Sequence, residues 1–87
     1  MPSRRVTVTI EDGLHARPVA ELVRLAEEHS AGATVSARGA IADLRSVLAV
    51  MDLALRHGDE VVIDVPDSPG AEVLIERLAR IVAPGQT

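Results

Sequence analysis

Apolar and polar residues alternate from Val6 to Ile10 (Val-Thr-Val-Thr-Ile), which is the period of a half-buried strand. The turn residues Glu11-Asp12-Gly13 end it. From Ala16 to about Glu28 the period becomes helical, with Val19, Leu22, Val23 and Ala26 spaced i, i+3, i+4 and i+7. Pro18 fits only in a first turn, where a missing N–H has no intrahelical partner, so the helix starts at about His15 or Ala16. After Gly32, Ala33 to Ala37 reads as a second strand. Arg38-Gly39 turns the chain into a short third strand near Ala40 to Asp43. Ser46 is placed to N-cap a helix from Val47 to about Leu53 or Leu55. His57-Gly58-Asp59 breaks that helix, and Glu60 to Val65 is a fourth strand. Ser68 as cap and Pro69 at the first helical position open a last helix striped by Leu74, Leu78, Ile81 and Val82, which ends near Pro84-Gly85.

The predicted order is therefore βαββαβα. Four strands and three helices of this kind form an α+β sandwich, an antiparallel sheet covered by helices on one face. With 87 residues the chain has room for one domain, residues 1–87. The chain contains no Phe, Tyr, Trp or Cys, so the core is aliphatic, and disulfides, thiol chemistry and Cys-ligated zinc are excluded. Arg4 and Arg5 are followed by no long apolar run, which argues against a signal peptide or membrane span; a cytoplasmic protein is expected. A formal charge of −4 and the lack of aromatic residues argue against nucleic acid, including an RNA-binding α+β domain. All nine basic residues are arginines, which keeps bidentate phosphate recognition available. The three histidines and the acids show no metal-ligand spacing, and neither a P-loop nor a GxGxxG run is present, so no metal and no cofactor is expected. His29 and His57 fall near predicted helix ends, where a cation suits the helix dipole.

Gly13-Leu14-His15-Ala16-Arg17-Pro18 carries the candidate chemistry. His15 stands where a glycine turn feeds a proline-started helix. The first-turn N–H groups, at about Ala16, Arg17 and Val19, lack intrahelical acceptors and with the helix dipole make an anion site. A neutral imidazole is a competent nucleophile near neutral pH, and Arg17 can add a cation beside a phosphoryl group. The same local pattern also fits a histidine that merely starts a helix. In the second helix Val47, Leu48, Val50, Met51 and Leu53 are apolar on nearly every side. A short helix cannot bury all of them, so Val50 and Leu53 are expected inside and Val47, Leu48 and Met51 outside.

The hexapeptide resembles the active-site signature of the histidine-containing phosphocarrier (HPr) family of the bacterial phosphoenolpyruvate-dependent phosphotransferase system. Leu44-Arg45-Ser46-Val47-Leu48-Ala49-Val50-Met51 resembles that family's regulatory-serine segment, at the family's separation, and the order of elements is the family's. The resemblance spans essentially the whole chain. It implies an open-faced β-sandwich and a monomeric phosphocarrier with a covalent phosphohistidine intermediate. His15 would be phosphorylated by Enzyme I and would pass the group to a IIA component, and Arg17 would assist transfer. Ser46 would match a site modified by a regulatory kinase in some lineages, beside its role as a cap. Val47, Leu48 and Met51 would form the docking surface for partners. A paralogue serving nitrogen regulation or a dihydroxyacetone-kinase relay would share these features, and a binding module with a structural His15 is the non-catalytic alternative. Asp12, Ala54 and Pro69 depart from the family pattern; an alanine at 54, where a glycine usually closes the second helix, would let that helix run on to Leu55 or Arg56.

Overall fold

The computed structural model describes residues 3–10, 13, 16–29 and 32–84. Its elements follow the order β1 (Ser3–Thr7), α1 (Ala16–Glu28), β2 (Thr34–Ala37), β3 (Ala40–Asp43), α2 (Val47–Asp52), β4 (Glu60–Asp64) and α3 (Ala71–Val82). The four strands form one antiparallel sheet in the order β1-β4-β2-β3, with all three helices on one face. This is the open-faced βαββαβα sandwich.

The alternation of side chains along the strands decides which face is covered. Val6, Val35, Ala37, Ala42, Val61 and Ile63 are buried toward the helices, where they meet Val19, Leu22, Val50, Leu74 and Leu78. Arg5, Thr7 and Ile41 are exposed. Val8, Leu44 and Val65 carry the apolar face past the ends of the ladders and are all but inaccessible. No polar or charged residue is buried among those described, as an aliphatic core requires.

The larger boundary differences from the sequence reading fall at β1, α2 and α3. β1 begins at Ser3 rather than Val6, because main-chain pairing with β4 (Ser3 opposite Asp64, Arg4 opposite Ile63, Arg5 opposite Val62) does not depend on apolar side chains. Beyond Thr7 the chain leaves the regular ladder, although the Val8 N–H still donates to the Asp59 carbonyl at 2.8 Å. α2 stops at Asp52 and does not run on, because Ala54 takes the left-handed conformation (φ 51°) in place of a glycine. α3 is opened by Gly70 at φ 81° with no side-chain cap, so Ser68 and Pro69 precede the helix instead of starting it. The Ser68 hydroxyl donates to the Pro66 carbonyl (2.9 Å) and lies 2.8 Å from His29 Nε2, tying the end of α1 to the approach to α3. His57 is five residues beyond α2, in the turn before β4, too far out for a dipole role.

Candidate functional site

His15, Leu14 and Asp12 lie outside the described residues. The frame around them is described. α1 begins at Ala16, with Ala16 and Arg17 exposed and Pro18 at its third position, where the ring displaces no intrahelical donor. Among the described residues the Arg17 side chain makes no hydrogen bond or ion pair. Arg17 borders a cleft of about 490 Å³ shared with Ile10, Pro18, Glu21, Arg80, Ile81 and Pro84.

Gly13 fixes how the segment ahead of α1 meets the rest of the fold. It is buried at φ 72°, and its N–H donates to the Ile10 carbonyl at 2.9 Å. A Cβ at this position would stand 2.7 Å from the Leu55 carbonyl oxygen and 3.0 Å from Arg56 Cα. Only glycine supplies both the left-handed backbone and the missing side chain. The start of the candidate site is thereby pressed against the chain that leaves α2. Glycine before a helix suggests a turn, but the sequence carries no signal that this one faces Leu55.

That exit chain is held from the other side by Arg38. Arg38 (φ 50°) and Gly39 (φ 80°) form the two-residue turn of the β2–β3 hairpin, both with positive φ as a type I′ turn demands. The Arg38 guanidinium donates from Nη1 to Asp59 Oδ2 at 2.7 Å and from Nη2 to the Leu53 carbonyl. Asp59 Oδ2 also accepts from the Arg56 N–H at 2.9 Å. The Arg56 N–H, and after it the Arg38 guanidinium, holds the Asp59 carboxyl below the usual carboxylate range.

Ser46 caps α2 as the sequence indicated. Its backbone is extended (φ −114°, ψ 109°) and its Oγ accepts from the Ala49 N–H at 3.2 Å. Arg45 is turned away to Asp43, with Nη2 3.2 Å from Oδ2 and its N–H 2.8 Å from Oδ1, which lowers the Asp43 pKa. α2 buries Val50, and Leu53, the C-cap that follows it, is buried as well, while Val47 (44% exposed), Leu48 (77%) and Met51 (42%) face outward as expected. α1 and α2 pack against each other. The Gly13 contact lies past the C-terminal end of α2, so Ser46 stands at the far end of a six-residue helix, about 9 Å along its axis.

The model of the family described as "PTS HPr component phosphorylation site" matches residues 2–83. The chain belongs to the HPr family. The Phosphocarrier protein HPr of Streptomyces coelicolor is 42% identical over 98% of this chain and 91% of its own length. That of Vibrio cholerae is 33% identical over 94% and 95%. The crystal structure of an HPr from Bacillus anthracis superposes with a TM-score of 0.85 at 32% identity, covering 93% of this chain and 95% of the other. Among the described residues no helix is long and apolar enough to cross a membrane, and no group of three or more acids and histidines is arranged to hold a metal ion. The candidate site comprises the start of α1, the outward face of α2 and the Gly13 contact with the chain that leaves α2.

Proposed function

We propose that this protein is a cytoplasmic phosphocarrier of the sugar phosphotransferase system. His15 accepts a phosphoryl group from Enzyme I and delivers it to a IIA component. The observation that carries this reading is the HPr signature at residues 13–18 opening α1 within a chain that matches the family over residues 2–83. In the first step a ring nitrogen of neutral His15 attacks the phosphorus of a phosphohistidine on Enzyme I. A new P–N bond forms as the donor's P–N bond breaks, and the electron pair returns to the donor imidazole. The second step runs the same exchange toward the IIA component. The unsatisfied first-turn N–H groups of α1 and the positive end of its dipole stabilise the phosphoryl oxygens, and Arg17, exposed at the second helical position, adds a mobile cation. The exposed start of α1 at Ala16 and Arg17 leaves room for one partner to depart and the next to approach.

Ser46 serves first as the cap of α2; phosphorylation there by a regulatory kinase is the further role we assign it, acting on partners that dock over Val47, Leu48 and Met51. The test is incubation with phosphoenolpyruvate and Enzyme I. The expected product is one phosphate, labile in acid and stable in base, absent from His15→Ala. Equal uptake by His15→Ala, or uptake on Ser46 alone, would overturn the assignment.

A further inference from the structure

Positive charge is strongly segregated in this acidic chain. Three clefts on the α1–α3 side meet at Arg80: one shared with Arg17 and Pro18, one with Arg24 and Arg77, and one with Arg4 and Arg5 of β1. Six of the nine arginines (Arg4, Arg5, Arg17, Arg24, Arg77 and Arg80) line them against Glu21 and Glu76, and Arg5 is paired with Glu60 at 3.8 Å, which leaves a surplus of three positive charges. The remainder of the chain holds three arginines and ten acids, a surplus of seven negative charges. Such a separation focuses the field on one side of the molecule. Arg80 is steadied by Glu76 at 2.8 Å, whereas Arg4, Arg24 and Arg77 make no ion pair among the described residues. Ile10, Pro18, Ile81 and Pro84 supply an apolar floor at the end nearest the start of α1.

Resting on the phosphocarrier reading, we infer that this arginine face on α3 and β1 is a docking surface for an acidic segment of a protein that exchanges the phosphoryl group, reached on the side of α1 away from α2. Two observations favour a protein as occupant. The face is continuous with the cleft bordered by Arg17, so a partner already engaged at the start of α1 extends onto it without a second encounter. The mixture of guanidinium groups with aliphatic and proline side chains matches an acidic, partly apolar polypeptide, while aromatic stacking platforms for bases are missing from the chain.

The test uses the double variant Arg4→Gln, Arg77→Gln, which removes a charge from each of two clefts that meet at Arg80 and alters no residue of α1 or α2. The comparison is Ala40→Glu, Ile41→Glu, which makes the same change in net charge on exposed residues of β3, at the opposite edge of the sheet. KM for phosphorylation by Enzyme I and phosphoenolpyruvate is measured across a salt series, with thermal melting to verify the fold. The Gln variant is expected to raise KM about five-fold at low salt, the effect of losing roughly 1 kcal/mol of exposed pairing, with kcat retained and the gap closing as salt rises. The β3 variant is expected to change KM little. Equal KM for the Gln variant and wild type, or equal shifts in both variants, would overturn the inference while leaving wild-type phosphorylation, and hence the phosphocarrier reading, intact. Loss of binding to anionic phospholipid vesicles or to a DNA duplex in the Gln variant, with KM unchanged, would overturn it in favour of that ligand.

Discussion

Gly13→Ala puts the frame of the site to a quantitative test. At φ 72° an alanine pays the left-handed penalty, about 1–2 kcal/mol. Its Cβ would also sit 2.7 Å from the Leu55 carbonyl oxygen. A main-chain carbonyl cannot swing aside as a flexible side chain can, so the strand of chain leaving α2 must shift, at a cost of about 1–3 kcal/mol by analogy with overpacked cores. The loss of freedom in the unfolded chain returns about 0.4–1 kcal/mol. The net destabilisation is about 3 kcal/mol, a large share of the roughly 4–13 kcal/mol available to a chain of this size. Gly39→Ala is the matched reference. Gly39 has φ 80° but open space where its Cβ would go, so it reports the backbone penalty alone, at most about 1.5 kcal/mol net. Because the chain has no aromatic residue, unfolding is followed by far-ultraviolet circular dichroism or calorimetry. At about 4–8 °C per kcal/mol, Gly13→Ala should lower Tm by about 12–24 °C and Gly39→Ala by at most about half as much. Equal shifts in the two variants would refute the close approach of residue 13 to Leu55. Gly13→Ala should also slow phosphoryl transfer at temperatures where it is folded, because the start of α1 is displaced from the α2 face; an unaltered rate would show that the contact serves stability only.

Three other outcomes are expected. Ser46→Ala should cost about 1 kcal/mol through loss of the bond to the Ala49 N–H, whereas Ser46→Asp keeps a capping oxygen and should melt near wild type yet associate more weakly with Enzyme I in titration calorimetry; tight binding by Ser46→Asp would remove α2 from the docking surface. Arg17→Ala should slow transfer without moving Tm, since the side chain is exposed and makes no bond among the described residues; a fall in Tm with an unchanged rate would make it structural. The lowered pKa of Asp59 means that its tie to Arg56 and Arg38 stabilises the fold above the unfolded carboxylate range, near pH ~3.9, and fades as pH falls through the lower folded value. Asp59→Asn should therefore melt below wild type at neutral pH and converge with it in acid, and a gap of constant width would exclude the ionic contribution.

The sequence by itself determined whatever depends on local periodicity. α1 and α3 follow from their apolar stripes, and α1 and β3 have the bounds that the pattern predicts, because one face of each helix and the turn at Arg38-Gly39 are encoded within a few residues. The inward Val50 and Leu53 and the outward Val47, Leu48 and Met51 were legible because a six-residue helix on one side of a sheet can bury only one face. The stretch around His15 and Arg17 puts a candidate nucleophile, a cation and a helix start together, a local pattern that equally fits a histidine merely starting a helix; the family resemblance, not the periodicity, made it a candidate phosphoryl site. What spans the chain was decided by tertiary structure alone. β4 enters between β1 and β2, and main-chain pairing with it recruits the polar residues Ser3 to Arg5 into β1, which side-chain alternation cannot reveal. Ala54 adopts a left-handed backbone that its own side chain disfavours, because Leu53 and Leu55 are both drawn into the core on either side of it. Gly13 meets Leu55, Arg38 meets Leu53 and Asp59, and Arg80 comes to share a cleft with Arg17 across 63 residues of chain. Each of these is a meeting of segments whose positions are set by burial of the whole apolar face, a quantity that no local window of sequence contains.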